Sequence, residues 1–262
     1  MAGWAAGCAL IGLTACSSRE PTTDAERLAR GREQVKQMSV QLAAAPAISV
    51  TTSEVRDVVR LSGKKEQSSL TAVYTIRRPD RFYSKVTGGR GLESWYNGKT
   101  LTIAAHPQKV FAQARMPETI DRALDALAER YDMAMPMGDL FYGSPEHALL
   151  SDTTKGGYAG TEKVGDTLCA HLVFQDVGVD WEIWLPAKGD PLPRRFKVVQ
   201  TKRSGQPVID VTFTKWDLAP QPGDETFVPK VPADYEGIAL LQRAAAVKQA
   251  AASAPAGSSP RK

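Results

Sequence analysis

Histidine and cysteine are scarce in this chain, with three of each in 262 residues. The cysteines, Cys8, Cys16 and Cys169, form no Cys-x-x-Cys pair, and with His106, His147 and His171 they form no cluster that would close four ligands round a metal. They are also too few and too scattered for a disulfide framework. Long apolar runs are missing too: after residue 15 nothing approaches 18 apolar residues in a row, so no later segment is long enough to span a bilayer as a helix. There is no Gly-x-Ser-x-Gly for a serine nucleophile, and Gly88-Gly89-Arg90-Gly91 lies between strands rather than between a strand and a helix, as a phosphate loop would. Charge of one sign does not dominate, because 33 basic residues face 29 acidic ones for a net +4. Basic clusters stand at Arg77, Arg78 and Arg81, at Arg194, Arg195 and Lys197, and at Lys202 and Arg203, but none is interleaved with aromatics in a nucleic-acid-binding pattern. These absences speak against an enzyme, a resident cofactor or a nucleic-acid partner.

What is present begins at the N-terminus. An apolar run of about ten residues, Trp4 to Leu13, leads into Leu13-Thr14-Ala15-Cys16 and a polar stretch. This resembles a bacterial lipoprotein signal, cut before a cysteine that then carries the lipid, although Met1 to Trp4 lacks the usual opening positive charge. The expected organisation is a signal peptide over 1–15, a tether over 16–22 anchored at Cys16, one domain over 23–235, and an Ala/Ser/Pro-rich tail over 236–262, helical then disordered. Removing the signal leaves Cys169 without a partner. Ser17, following the cysteine, resembles the outer-membrane sorting pattern, so the expected location is the periplasmic face of the outer membrane.

Along the domain the hydrophobic period changes. Thr23-Asp24-Ala25-Glu26 fits a capping box, and Leu28, Val35, Met38 and Leu42 follow near helical spacing up to Pro46. From Ile48 the period falls to two, with strands at 48–53, 55–62, 68–78, 81–87, 93–96, 101–105 and 110–115. Asn97-Gly98 predicts a type I′ hairpin with both residues at positive φ. Pro117 predicts a helix through Met133, and the apolar stretch to Tyr142 reads as loop and short helix. Strands resume over 158–164, 168–174, 179–185, 194–200 and 208–218, and a last helix is expected over 236–252. A long antiparallel sheet with few helices must curl to bury one face.

Arg78-Pro79-Asp80-Arg81, Tyr96-Asn97-Gly98-Lys99, Pro117-Glu118-Thr119-Ile120-Asp121, Leu168-Cys169-Ala170-His171-Leu172, Asp180 to Leu185, Pro191 to Arg195 and Trp216 stand in series. Together they resemble DUF2092, a family of predicted periplasmic proteins similar in outline to the LolA/LolB lipoprotein-carrier superfamily. The resemblance implies a mainly β (α+β) fold: a half-open antiparallel β-barrel with a helical plug or lid and an apolar cavity for acyl chains. The insert at 117–142 suits the lid.

Cys169 and His171, two apart on a strand, share a face opposite Leu172 and Phe174, where a packing role competes with half a metal site. Asp176, Asp180 and Glu182 read as solvated charges. The apolar pattern offers more. Trp181, Ile183 and Leu185 share one strand face, and Ile209, Val211 and Phe213 another. A ligand cavity is expected to draw on Trp95, Ile103, Met133, Met135, Leu140, Phe141, Ile183 and Phe213, since methionine adapts to irregular apolar shapes. The expected function is a membrane-anchored lipoprotein that binds a lipid or acyl chain in envelope trafficking. The alternative is an envelope interaction or stress-sensing module that binds a protein and no small ligand.

Overall fold

The computed structural model describes residues 20–242, apart from 61, 134 and 136. Cys16, Ser17, the signal and residues 243–262 of the tail lie outside them. Helix α1 (Asp24–Ala44) starts where the sequence places it: Thr23 Oγ1 accepts from Glu26 N, and Glu26 returns the bond to the Thr23 amide. Two short helices follow later, α2 (Ile120–Tyr131) and α3 (Pro145–Leu150). No helix among the described residues is long and apolar enough to cross a membrane.

The strands are β1 (Ala47–Val59), β2 (Lys65–Arg77), β3 (Arg81–Gly88), β4 (Leu92–Tyr96), β5 (Thr100–Ala105), β6 (Val110–Arg115), β7 (Lys155–Val164), β8 (Thr167–Asp176), β9 (Val179–Pro186), β10 (Arg195–Val199), β11 (Val208–Asp217) and β12 (Glu236–Ile238). They form one open sheet in the order β12-β6-β5-β4-β3-β2-β1-β11-β10-β9-β8-β7. Every pair is antiparallel except β12 with β6. The mainly β, half-open architecture with helices over one face is the one expected.

The sheet is strongly curled. Met135 borders a small apolar slot against Phe82, Tyr96 and Leu101 and also a larger cleft against Trp181, Phe196 and Ile209. From β4 to β9 is six strand spacings, roughly 29 Å if flat. One side chain can reach both neighbourhoods only if the sheet wraps round it. The concave face holds the core: Val50, Tyr74, Ile76, Ile183, Val211 and Phe213 from the strands meet Val35, Met38 and Leu42 from α1.

Several expected details differ. Residues 48–53 and 55–62 are not two strands but the single strand β1, with a bulge at Thr51/Thr52 opposite β11 that lets the long strand bend. The helix expected from Pro117 begins at Ile120, because Thr119 Oγ1 caps it by accepting from Arg122 N. Asn97 is not at positive φ; only Gly98 is (φ 88°). Asn97 instead opens the turn, its Oδ1 accepting from the amides of Lys99 (3.1 Å) and Thr100 (2.9 Å), so the tight bend falls at Gly98. The helix expected from 236 opens as strand β12, which pairs with β6.

Residues 219–235 strap the convex face of β2–β6. Arg77 pairs with Asp224 and lies over the buried Phe227, Lys109 pairs with Asp234 at 2.8 Å, and the Tyr235 hydroxyl lies 2.7 Å from His106 Nδ1. The strap and β12 cover a sheet edge that would otherwise offer unpaired backbone groups.

Candidate functional site

The lid segment crosses the concave face. After α2, Met135 and Met137 lead into a 3₁₀ turn over Gly138–Phe141 and then α3. Met137 takes a left-handed conformation (φ 55°), which turns the chain back so that Leu140 and Phe141 plunge into the core. Phe141 packs 6.0 Å from Tyr74, and its carbonyl accepts from Arg78 Nη1 at 2.9 Å. The Tyr142 hydroxyl donates to Asp125, Gly143 N to Asp121 and Glu146 N to Ser39 Oγ, so both α2 and α1 hold this half of the lid.

Between the lid and the inner faces of β9–β11 lies a cleft of about 550 Å³. Trp181, Phe196, Val198 and Ile209 form its floor; Met135, Met137, Ala148 and Leu149 form its roof. That volume lies within the range of small-molecule sites, and an apolar lining with a few polar groups is their usual composition. Its charged groups are carboxylates, beside the uncharged Ser151 and Gln200. Asp176 at the end of β8 is fixed: Thr153 Oγ1 donates to it at 2.6 Å and Trp181 Nε1 at 2.9 Å. Asp139 receives no donor from another residue among the described residues, and burial, with Asp176 nearby, pushes its pKa up to about 6. The slot beneath α2 is much smaller, about 30 Å³, and wholly apolar, bordered by Leu124, Leu127 and Met135.

Of the expected cavity residues, only Met135 lines the cleft. Ile183, Phe213, Leu140 and Phe141 are on the concave side but packed solid in the core, and Ile103 is half-buried against it. Met133 is half-buried and lines neither space. Trp95 is on the opposite face. It pairs across β3 with Tyr83, the convex-side neighbour of Phe82, and packs against that ring at 6.1 Å; its neighbour Tyr96 points inward. A one-residue parity error inverts a strand's faces, and Trp95 is buried there because the convex side of this end of the sheet is covered. The sequence reading missed Asp139, Met137 and Phe196. Asp139 did leave a signal, as the one carboxylate within the apolar run 133–142.

Cys169 and His171 do share the convex face, apart from the cleft. Burial pushes the Cys169 thiol up, which leaves it an inert packing group. His171 stacks on Trp184 at 4.3 Å, and its Nε2 lies 2.7 Å from Glu182. Burial opposes ionisation of Glu182, but Lys197 and His171 outweigh it and hold its pKa below the usual range. Asp176 and Glu182 are therefore structural anchors rather than free surface charges. Among the described residues no group of three metal-ligating side chains gathers.

A family model described as a predicted periplasmic protein (DUF2092) matches residues 31–241. The chain belongs to the DUF2092 family. Its setting, by that family's description, is the periplasm. No curated protein matches the chain. Among solved structures, an uncharacterised conserved protein from Thermus thermophilus superposes with a TM-score of 0.47 at 12% identity, over 79% of this chain and 98% of that one. The lipoprotein LppX from Mycobacterium tuberculosis gives 0.41 at 11%, over 71% and 93%. A LolA superfamily protein from Nitrosomonas europaea gives 0.39 at 9%, over 76% and 98%. These likenesses are distant, and the functional reading of this DUF2092 protein rests on its own cleft.

Proposed function

We propose that this DUF2092 protein is a lipid-anchored, non-enzymatic binding protein that holds the apolar chain of an amphiphile, such as an acyl chain or lipoprotein lipid, in the cleft between its lid and β9–β11. The observation that carries this is a space of about 550 Å³ on the concave face with an apolar floor and a methionine roof. Binding proceeds by burial, with each CH₂ taken out of water contributing about 0.8 kcal/mol. Methionine suits the roof because its unbranched thioether repacks around chains of different shape. A site of this size admits part of a lipid, so the rest of the chain extends through the open side of the cleft. Ala148 on α3 lines the roof without belonging to the core. Ala148→Trp is expected to fill the cleft, to weaken binding of dodecyl maltoside at least tenfold by calorimetry, and to leave the circular dichroism spectrum intact. Undiminished binding would remove the cleft from the mechanism.

The anchor belongs to the same reading. A lipid on Cys16 holds the domain at a membrane through the tether, and Ser17 directs it to the outer membrane. Cys16→Ala is expected to move the protein from the outer-membrane fraction to the soluble one, or to leave it uncleaved; unchanged fractionation would refute the anchor. If the domain binds no amphiphile at all, the alternative of an envelope interaction module takes its place.

A further inference from the structure

The cleft carries a charge pattern that selects among amphiphiles. Asp139, Asp152 and Asp176 line it, and among the described residues no lysine, arginine or histidine does. Asp176 already accepts from Thr153 and Trp181. Asp139 sits deeper than Asp152, which is exposed, and among the described residues no other residue donates to it. The adjoining groove beyond Gln200 and Ile209 does hold Arg56 and Arg203. Each of these already has a carboxylate: Arg56 lies on Glu54, which is fully buried and also accepts from Thr52 and the Tyr74 hydroxyl at 2.8 Å each, and Arg203 bonds Asp132 at 3.2 Å. An anionic head entering the cleft would meet like charge among its lining residues; Lys202 beside Gly178 and Arg32 on the Thr153 carbonyl, which have no ion pair among the described residues, stand outside that lining.

We propose that the occupant is an amphiphile with an ammonium head, its apolar body against Trp181, Phe196 and Ile209 and its head at Asp139. This rests on the reading of the cleft as an amphiphile site and adds the head-group class. A charge-assisted hydrogen bond from the ammonium gives Asp139 a second donor beside its own backbone amide, one that no other described residue supplies. The apolar floor gives the tail its burial, and the cleft's acidity excludes a fatty-acid carboxylate.

The test compares three chain-matched probes below their micelle concentrations on the full chain: dodecylammonium, dodecyl maltoside and laurate. Calorimetry gives the affinities, and Trp181 fluorescence is a second readout. At pH 8 the ammonium is expected to bind at least tenfold tighter than laurate. Asp139→Asn is expected to bring the ammonium to within about threefold of the maltoside while leaving the maltoside unchanged. Asp152→Asn, at the exposed rim, is expected to give a smaller loss of the same sign and keeps the test open if Asp139→Asn does not fold. Lowering the pH through 6 neutralises Asp139, with Asp176 and Asp152 facing it, so the preference is expected to shrink by pH 5. Laurate binding as tightly as the ammonium, or a preference that survives Asp139→Asn, overturns the head-group proposal and leaves the cleft reading standing. Failure of all three probes to bind overturns both.

Discussion

Gly157→Ala is expected to lower the melting temperature by roughly 6–20 °C. Helix α1 crosses β7 at a close approach of two backbones. A Cβ on Gly157 would lie 2.2 Å from the Arg27 carbonyl oxygen and 2.5 Å from Leu28 N, and one on Gly31 would lie 2.7 Å from Gly157 Cα. Neither neighbour is a side chain that could swing away. Gly157 also sits at φ 126°, where side chains are rarely tolerated. Overpacking and backbone strain together cost about 3–5 kcal/mol, at roughly 2–4 °C per kcal/mol for a domain this size. Gly160→Ala is the control. It shares the strained backbone (φ 136°) but has nothing within 4 Å of its Cβ, so only the conformational cost of about 1–2 kcal/mol applies. Equal losses for the two variants in thermal denaturation would show that the helix does not ride on the strand at Gly157.

That crossing also marks the limit of sequence reading. The capping box announced the start of α1, and the alternation of Ile209, Val211 and Phe213 announced an inward face, because both patterns are local and each residue's neighbours in sequence carry the signal. Gly31 and Gly157 announced nothing. Their meaning lies in a meeting of elements 126 positions apart, given by the numbering alone. Trp95 failed for a related reason. Large apolar residues alternate with polar ones only where one face is wet, and here the strap over 219–235 buries the convex side, so size could not say which side Trp95 takes. The cleft was legible as a methionine-rich stretch after α2. Its floor was not, since Phe196 and Ile209 lie on separate strands that the curl of the sheet brings under the lid.

The lid is expected not to lift as a unit, and Phe141→Asp measures this. A lid that swung away whole would carry Phe141 into water at each opening, and a carboxylate there would be tolerated with only ligand binding impaired. The packing argues otherwise. Phe141 is 1% exposed, lies against Tyr74, and is tethered through its carbonyl to Arg78. Truncating such a phenylalanine costs about 3–5 kcal/mol, and an unpaired buried carboxylate adds several more. The sum approaches the whole stability of a typical domain, about 5–15 kcal/mol. Phe141→Asp is therefore expected to abolish the cooperative denaturant transition and the near-ultraviolet circular dichroism, rather than to yield a folded, non-binding protein. Met135, half-buried at the junction of cleft and slot, is the contrasting position. Met135→Ala is expected to cost about 1–2 kcal/mol, since only part of its side chain leaves a packed site, while shifting amphiphile affinity severalfold. A folded Phe141→Asp protein would mean that the 138–141 turn opens with the ligand. An unfolded one leaves Met133 and Met135, both only half-buried, as the lid side chains that repack around a ligand.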